Sequence, residues 1–413
     1  MKARSGDTHR KNTREVSVIA SKKECERFFA WQSIKNQMDC RARVLHSLAM
    51  TNKINSVLFI LCKACALNFE RIKMLKKLCL LLALCVALNA RVVVDSDGKA
   101  VQVPDNVERA SPMVGIFVQI TVALGNEDKI ISGAYRGLSP MMLKIFPKIK
   151  TTGFRGGSLG ASVETLISTN TQVVFGPASV LVDDNMKKQL ENAGIAVVRI
   201  DSKMGTAQDL KDRVMKIAEI FGDESIKRAK EFNAYYDENI NFVRSNLPKN
   251  AYKKRVLVLN YRAGNWATTT TNFMPAEYIK LAGGEHLASQ AGAFGYSPSI
   301  NEEQIIVYNP DVIIVNSQEG LQAILQNASF KELKAVKNKQ IFVQPRGAIT
   351  FWAGTEGALQ ILWLAKILHP NEFKDLNLEQ KVREFYERFY HYKLSDDELK
   401  EILNPKEKLK VIY

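Results

Sequence analysis

Arginine and aromatic residues follow several short apolar runs of this sequence, and both residue types can bind an organic or metal-containing ligand. An arginine guanidinium holds a carboxylate or a catecholate through two parallel hydrogen bonds. Aromatic faces suit a flat organic chelate, and a tyrosine phenolate can coordinate ferric or haem iron directly. The residues that we predict to bind a ligand on these grounds are Tyr135, Arg136, Arg155, Tyr261, Arg262, Trp266, Tyr296, Arg346 and Trp352.

The apolar runs that position these residues alternate with helical stretches along the chain. Each run is nearly continuous in apolar residues, which is typical of strands buried on both faces of an α/β sheet. Ligands of two-lobed α/β proteins bind outside the carboxyl ends of such strands. The predicted strands are 129–132, 172–175, 196–200, 255–259, 312–315 and 340–343, and the clearest predicted helices are 184–192, 207–221 and 275–281.

One segment near the middle of the chain predicts a single long helix. Residues 223–245 contain no Gly or Pro, and their apolar residues recur at helical spacing until Pro248 ends the pattern. A helix of this length can connect two lobes rigidly. We therefore predict an N-terminal α/β lobe at 91–222, a connecting helix at 223–248 and a C-terminal α/β lobe at 249–413.

The N-terminal part has the pattern of an exported protein. Residues 74–90 contain two lysines, an apolar run too short to span a membrane and a small residue before a polar stretch. This order predicts a signal peptide cleaved after Ala90 and a periplasmic location, with a lipid anchor on Cys85 as the alternative. We expect residues 1–73 to be an unstructured extension or the product of a start assigned too early, with Met74 as the start. Beyond the signal peptide, Asp97-Gly98 predicts a two-residue β-hairpin.

Charge and cysteine are both concentrated before Arg91. The net charge of the chain is +15, but residues 1–73 hold 15 of the 58 Lys and Arg and only 6 of the 43 Asp and Glu. Once the two lysines of the signal peptide are also set aside, the rest of the chain carries +4, which does not predict a nucleic-acid-binding face. All six cysteines lie at or before Cys85, so the mature chain has no thiol for catalysis or zinc binding.

Direct capture of a bare divalent metal and enzymatic catalysis are less well supported by the residues. Divalent metal sites need several His and carboxylate ligands, whereas His286, His369 and His391 stand in helical or surface patterns. An exported α/β enzyme is the alternative from a different class. Its most suggestive segment, 155–160, lacks the GK[ST] ending of a phosphate-binding loop. We expect no catalytic residue, no metal ligand set and no resident cofactor.

The two predicted lobes share an internal repeat. Residues 164–175 align without gaps with residues 303–314: a Glu opens a short helix, an Asn ends it six residues later, and an apolar strand follows. Together with AGGEHLA at 282–288 and the apolar run at 359–370, this repeat resembles a family of periplasmic binding proteins. The family is the class III substrate-binding proteins, which carry Fe³⁺-siderophores or cobalamin to ABC transporters.

The resemblance implies two Rossmann-like α/β lobes bridged by one long α-helix. It also implies that a monomer captures a ferric siderophore between its lobes and delivers this iron chelate to the permease dimer of the inner membrane. Haem, cobalamin, molybdate and a nickel or cobalt chelate are the alternative ligands. In this family a surface carboxylate on each lobe docks onto the permease, and the matching residues here are Glu164 and Glu303.

Overall fold

The computed structural model of the chain describes most of the residues from Ala90 onward. The described ranges are 90–135, 138–150, 160–181, 184–201, 203–270, 273–288 and 298–406. The predicted extension and the signal peptide up to Asn89 lie outside these ranges, as do the predicted ligand residues Arg136, Arg155 and Tyr296.

The described part begins with an antiparallel hairpin of Ala90–Val94 (β1) and Ala100–Pro104 (β2). The hairpin predicted around Asp97-Gly98 is therefore present, but its loop spans five residues rather than two. The carboxylate of Asp95 accepts hydrogen bonds from the N–H groups of Asp97 and Lys99, at 3.0 and 2.8 Å. These bonds from an Asx side chain stabilise the longer loop, which spacing alone did not reveal.

A parallel sheet forms the first lobe. Its strands are Ala110–Pro112 (β3), Val173–Gly176 (β4) and Ala196–Arg199 (β5), in the order β3-β4-β5. The strand predicted at 129–132 is not a full strand, because only Ile130 forms a bridge, to Ala110. The helices of this lobe are Gly115–Ala123 (α1), Pro140–Ile145 (α2), Val163–Ser168 (α3), Asp184–Asn192 (α4) and Ala207–Phe221 (α5).

The predicted long helix is present as Asp223–Asn246 (α6). It begins directly after Gly222, whose φ of +96° breaks the preceding helix, and it ends before Leu247-Pro248. Its buried face includes Phe232, Tyr236 and Val243, which recur at the spacing of an amphipathic helix. This face packs against α5 and against a helix of the C-terminal part, so α6 joins the two lobes along a continuous core.

A second, mixed sheet forms the second lobe. Its strands are Arg255–Arg262 (β6), Asn265–Thr268 (β7), Glu285–His286 (β8), Val312–Val315 (β9) and Ile341–Val343 (β10). The order is β10-β9-β6-β7, with β8 also paired to β6, and only the β6–β7 pair is antiparallel among the described strands of this sheet. The strand predicted at 255–259 runs on to Arg262 and returns through Ala263-Gly264, which both have positive φ. Two such residues define a type I′ hairpin, and the predicted strands did not include its second strand.

The second lobe and the C-terminal part contain the remaining described helices. They are Met274–Leu281 (α7), Glu302–Tyr308 (α8), Gln318–Gln326 (α9), Lys334–Lys337 (α10), Gly357–Leu368 (α11), Leu378–Tyr390 (α12) and Asp396–Leu403 (α13). Helix α11 is almost entirely buried against α6 and α7, and α12 contacts α1 of the first lobe. The C-terminal part, predicted to lie wholly in the second lobe, therefore contacts both. No helix in the described ranges combines the length and apolar content of a membrane span.

The internal repeat corresponds to the same local structure in both lobes. The aligned residues Asn170 and Asn309 end α3 and α8 in the left-handed conformation, with φ of 51° and 37°. Two residues later, Gln172 Oε1 accepts a hydrogen bond from the N–H of Arg109 at 2.9 Å. The aligned Asp311 accepts one from the N–H of Arg255, also at 2.9 Å. The predicted helix–Asn–strand unit is confirmed in both copies.

Candidate ligand-binding site

A cavity of about 410 Å³ lies where the first lobe, the carboxyl end of β10 and helix α13 meet. This volume is in the range of small-molecule sites. Residues from α2 line one side, the segment after β10 lines another, and α13 closes the cavity. The lining consists of Ser139, Pro140, Met141, Lys144, Arg346, Gly347, Asp397, Glu398, Glu401, Ile402 and Pro405.

Arg346 is the predicted ligand residue that lines this cavity. It follows β10, and its backbone N–H donates to the carbonyl of Ile402 at 2.8 Å, which fixes the segment against α13. The side chain is half-buried, and burial lowers the pKa of its guanidinium, which remains charged at neutral pH. Among the described residues, no carboxylate or carbonyl accepts a hydrogen bond from this guanidinium. A half-buried cation in this state can bind an anionic group of a ligand.

The backbone beside Arg346 is held by the first lobe. Ser139 caps α2 and accepts a hydrogen bond from the N–H of Met141 at 3.0 Å. Its own N–H donates to the carbonyl of Ala348 at 3.1 Å, and its hydroxyl donates to the carbonyl of Gly347. Position 347 requires glycine because a Cβ there would lie 1.8 Å from Glu356 Oε1. Residues of both lobes therefore determine where Arg346 stands.

The charges around the cavity are mixed. Lys144 Nζ lies 2.7 Å from Glu398 Oε1 and links α2 to α13. Burial would raise the pKa of Glu398, but hydrogen bonds from Lys144, the N–H of Ser395 and the hydroxyl of Tyr392 lower it to about 2. Glu398 is consequently ionised at neutral pH and balanced by Lys144. The cavity lining also contains one further positive charge, Arg346, and two further negative charges, Asp397 and Glu401. These charges could pair with opposite charges on a ligand.

A buried polar cluster, which we call the junction network, lies next to this segment. Its members are Gln119 on α1, Thr355 and Glu356 before α11, and Tyr386 and Tyr390 on α12. The sequence analysis did not identify it. Two tyrosines spaced i, i+4 on an otherwise apolar helix face, together with a carboxylate next to an apolar helix, are the signals that could have suggested it.

Glu356 is the centre of the junction network. Its carboxylate accepts hydrogen bonds from the N–H groups of Ala348 and Ile349 at 2.8 and 3.1 Å and from Gln119 Nε2 at 3.0 Å. The hydroxyl of Tyr386 donates to the same carboxylate. Burial raises the pKa of Glu356 to about 7, although the hydrogen bonds act in the opposite direction. Four donors satisfy this carboxylate, so the network joins α1, the segment after Arg346 and α12.

Tyr135 and Tyr261 stand at the carboxyl edges of the two sheets, as predicted, but outside the cavity lining. Tyr135 is half-buried against the main core, next to Ala134, whose N–H donates to the carbonyl of Pro112 at 3.1 Å. The N–H of Tyr261 donates to Asn316 Oδ1 at 3.0 Å, beyond the end of β9. The placement of these tyrosines is compatible with a cleft between the sheets.

The other described candidates have different surroundings. Arg262 is exposed at the tip of the β6–β7 hairpin. Trp266 is buried, with its ring centroid 4.5 Å from that of Tyr261. Trp352 is buried and stacked on Tyr278 at 6.2 Å. Both tryptophans are packed in the core and offer little surface to a ligand, so we leave them out of the proposed ligand set.

His286 has the surroundings of a structural residue. His286 is buried on β8, and its Nε2 lies 2.9 Å from the hydroxyl of Thr269. Burial lowers the pKa of His286 to about 4, so the ring is neutral at physiological pH. Over the described ranges, no three His, Cys, Asp or Glu residues are grouped so that they could hold a metal ion.

Glu164 and Glu303, the predicted docking residues, are both exposed in the first turns of α3 and α8. Ser162 and Asn301 cap the two helices and accept hydrogen bonds from the third backbone N–H. The two carboxylates therefore occupy equivalent positions on the two lobes.

Comparisons with known proteins agree with this architecture. A sequence model of the periplasmic binding protein family matches residues 150–346. The molybdate-binding protein MolA of Haemophilus influenzae is 25% identical over 358 residues, covering 79% of this chain and 99% of MolA. An ABC transporter substrate-binding lipoprotein of Bacillus subtilis, YvrC, is 21% identical over 285 residues, covering 68% of this chain and 86% of YvrC.

A solved periplasmic solute-binding protein of Veillonella parvula superposes with a TM-score of 0.64 at 22% identity. The superposition covers 76% of this chain and 97% of that protein. The family match and the solved structure agree with two α/β lobes bridged by a long helix, so the predicted resemblance to periplasmic binding proteins and the predicted fold are confirmed. The two relatives are named as binding proteins of ABC transporters or of molybdate, and neither is named as an enzyme.

Proposed function

We propose that the protein captures a ferric chelate between its two lobes and delivers it to the permease dimer of an ABC importer. The observation that carries the proposal is Arg346, a half-buried cation without a described acceptor, in a cavity lined by α2 of the first lobe, the segment after β10 and α13. An arginine in this setting holds carboxylate or catecholate oxygens of a chelate. Tyr135, Tyr261 and Arg262, which lie outside the cavity lining, and Arg136, Arg155 and Tyr296, which lie outside the described residues, remain predicted members of the ligand set.

The size and charge of the cavity favour an organic chelate over a bare ion. A volume of about 410 Å³ exceeds what one tetrahedral oxyanion occupies. Asp397 and Glu401 would repel an oxyanion, whereas an organic chelate can present both acidic and basic groups. These two features support the ferric chelate as the first candidate.

A molybdate-class oxyanion is the second candidate. It is favoured by the likeness to MolA, which is named for molybdate binding and matches along 79% of this chain. Arg346 would bind this anion as well, by the same charge-assisted hydrogen bonds. The two candidates therefore share one receptor residue and differ in the size of the ligand.

We further propose that the protein acts in the periplasm as a monomer. The signal-peptide pattern at 74–90 supports export, and cleavage after Ala90 would leave a soluble protein that begins at Arg91, the second residue of β1. Anchoring through Cys85 remains the alternative, and the relative YvrC is named a lipoprotein. Glu164 and Glu303 are the proposed contacts with the permease.

Titration of the exported protein with ferric tris-catecholate and with molybdate, followed by tryptophan fluorescence and calorimetry, tests the proposed ligand. We expect the ferric chelate to bind and Arg346→Ala to weaken it by about 10- to 100-fold, the value of one charge-assisted hydrogen-bond pair. The control Arg244→Ala, on the exposed face of α6, should leave binding unchanged. Binding of molybdate alone would favour the second candidate, and binding of neither compound would contradict both.

A further inference from the structure

Helices α3 and α8, which carry the predicted docking residues Glu164 and Glu303, share a second feature besides these carboxylates. In the aligned repeat, Leu166 corresponds to Ile305, and both residues are fully buried beneath their helices. The next residues, Ile167 and Ile306, also correspond, and they are exposed to nearly the same extent, 44% and 41%. The duplicated unit therefore presents an aliphatic side chain to solvent at the same register in each lobe.

Each exposed isoleucine lies three residues after a predicted docking carboxylate. Residues at i and i+3 of a helix are neighbours on one face, so Ile167 stands beside Glu164 and Ile306 beside Glu303. The helix ends are held alike, because Asn170 and Asn309 both adopt the left-handed conformation. Since the capping, the buried residue and the exposed residue all correspond, the two surfaces have the same local geometry.

We propose that the docking surface of each lobe is this pair, Glu164 with Ile167 and Glu303 with Ile306. The proposal rests on the proposed delivery to a permease. The occupant is a homodimeric permease that presents, on each of its two subunits, a basic group with an apolar pocket beside it. A duplicated surface fits such a partner because each lobe meets one copy of the same site.

The carboxylates and the isoleucines would have different tasks in this surface. Charge pairs at an exposed rim steer association and weaken with salt. Burial of an aliphatic side chain stabilises the bound state and is not screened by salt. The second lobe also exposes Val307, at 80%, where the first lobe has Ser168. We therefore expect the second lobe to contribute more of the apolar contact.

Binding of the exported protein to inner-membrane vesicles from its own cells, measured without ligand, tests the proposal. We expect Ile167→Ser and Ile306→Ser each to weaken binding by about 3- to 10-fold, with the larger loss at Ile306 and with the losses persisting at high salt. Glu164→Gln and Glu303→Gln should weaken binding mainly at low salt. Val92→Ser, at a 55% exposed aliphatic position on β1, is the matched control and should bind as the unaltered protein does.

Photo-crosslinking in cells identifies the occupant. A benzoylphenylalanine at 167 or at 306 should form an adduct with the same multi-span permease, and one at 92 should not. If the isoleucine variants bind as tightly as the unaltered protein while the glutamate variants do not, docking stands and the apolar contact is wrong. If the unaltered protein neither binds the vesicles nor crosslinks to a permease, the proposed delivery itself is wrong.

Discussion

Two half-buried arginines of this molecule differ in what surrounds them. Arg228 on α6 donates to the carbonyl of Ala123 at 2.7 Å and to the carbonyls of Arg388 and Phe389, both at 3.0 Å. Arg346 lines the cavity and has no acceptor for its guanidinium among the described residues. Burial lowers the pKa of both guanidinium groups, because both positive charges are partly removed from water.

The buried charges of the molecule therefore fall into two groups: those with several hydrogen-bond partners inside the protein, and Arg346, which has no described partner. Arg228 and the junction network join α1, α6 and α12, and in these places each buried charge has several partners. Arg346 has none described, although Glu398 lines the same cavity and bonds instead to Lys144. A buried charge without a partner costs free energy unless a ligand supplies one. We therefore assign stability to the first region, and the second is the region for which we propose ligand binding.

The largest effect is expected from removing the carboxylate of the junction network. Glu356→Leu removes one of two acceptors from the N–H of Ala348 and from the amide of Gln119. It leaves the N–H of Ile349 and the hydroxyl of Tyr386 without their buried acceptor. Each such group costs about 1–3 kcal/mol, so the free energy of unfolding should fall by at least about 3 kcal/mol. Urea denaturation at pH 7.5 measures it, with Glu356→Gln as a control that keeps one acceptor oxygen and should lose less. Equal stability of Glu356→Leu and the unaltered protein would contradict the assignment.

The pH dependence of stability should carry the signature of the same carboxyl group. Its pKa is raised from 4.5 to about 7 in the folded state, so the native protein binds an extra proton between these values. The stabilisation is full below pH 4.5 and is lost as the pH rises through 7, a change of a few kcal/mol.

The titration of His286 changes the unfolding free energy with pH in the opposite direction. Its contribution must therefore be separated from that of Glu356. The pKa of His286 is lowered from 6.5 to about 4, so its contribution grows as the pH rises from 4 to 6.5. The measurement is therefore the difference in unfolding free energy between the unaltered protein and Glu356→Gln at pH 5, 6, 7 and 8. We expect this difference to shrink as the pH rises. A constant difference would mean that Glu356 does not titrate in this range.

The smallest expected effects on the unfolding free energy are those of replacing the two arginines. Arg228→Ala removes three hydrogen bonds to backbone carbonyls and should cost about 2 kcal/mol of unfolding free energy. The guanidinium of Arg346 makes no hydrogen bond to a described residue. Arg346→Ala should therefore lower the unfolding free energy by no more than about 0.5 kcal/mol. Chemical denaturation of the two variants in parallel measures both values. Similar losses for the two would show that Arg346 is a structural residue.

Local patterns predicted the elements of this fold well. Helices α4 and α5 and strand β9 occupy their predicted ranges, because each depends on short-range periodicity and on caps such as Thr206. The long helix α6 was also predicted from the sequence, because no Gly or Pro interrupts it. Strand β7 was missed because its hairpin turn is Ala263-Gly264, in which alanine adopts an unusual positive φ.

The site was less predictable because it depends on contacts between distant parts of the chain. Placing an arginine after β10 needed only the strand pattern, and Arg346 does line the cavity. Trp266 and Trp352 fit the same pattern but are buried, and spacing does not distinguish a core aromatic from a cleft aromatic. The junction network joins residues more than two hundred positions apart, such as Gln119 and Glu356, which a single sequence does not reveal.

The return of the C-terminal part to the first lobe has a mechanical consequence. The backbone joins the lobes through α6, and the stretch between β10 and α11, a second passage that contains Arg346, contacts the first lobe again. Ser139 ties that second passage to the first lobe, while β10 belongs to the sheet of the other. A rotation of one lobe against the other would therefore pull on the stretch that contains Arg346, the proposed ligand residue. If the proposed function holds, a ligand bound at Arg346 would be linked mechanically to the spacing of the two proposed docking surfaces.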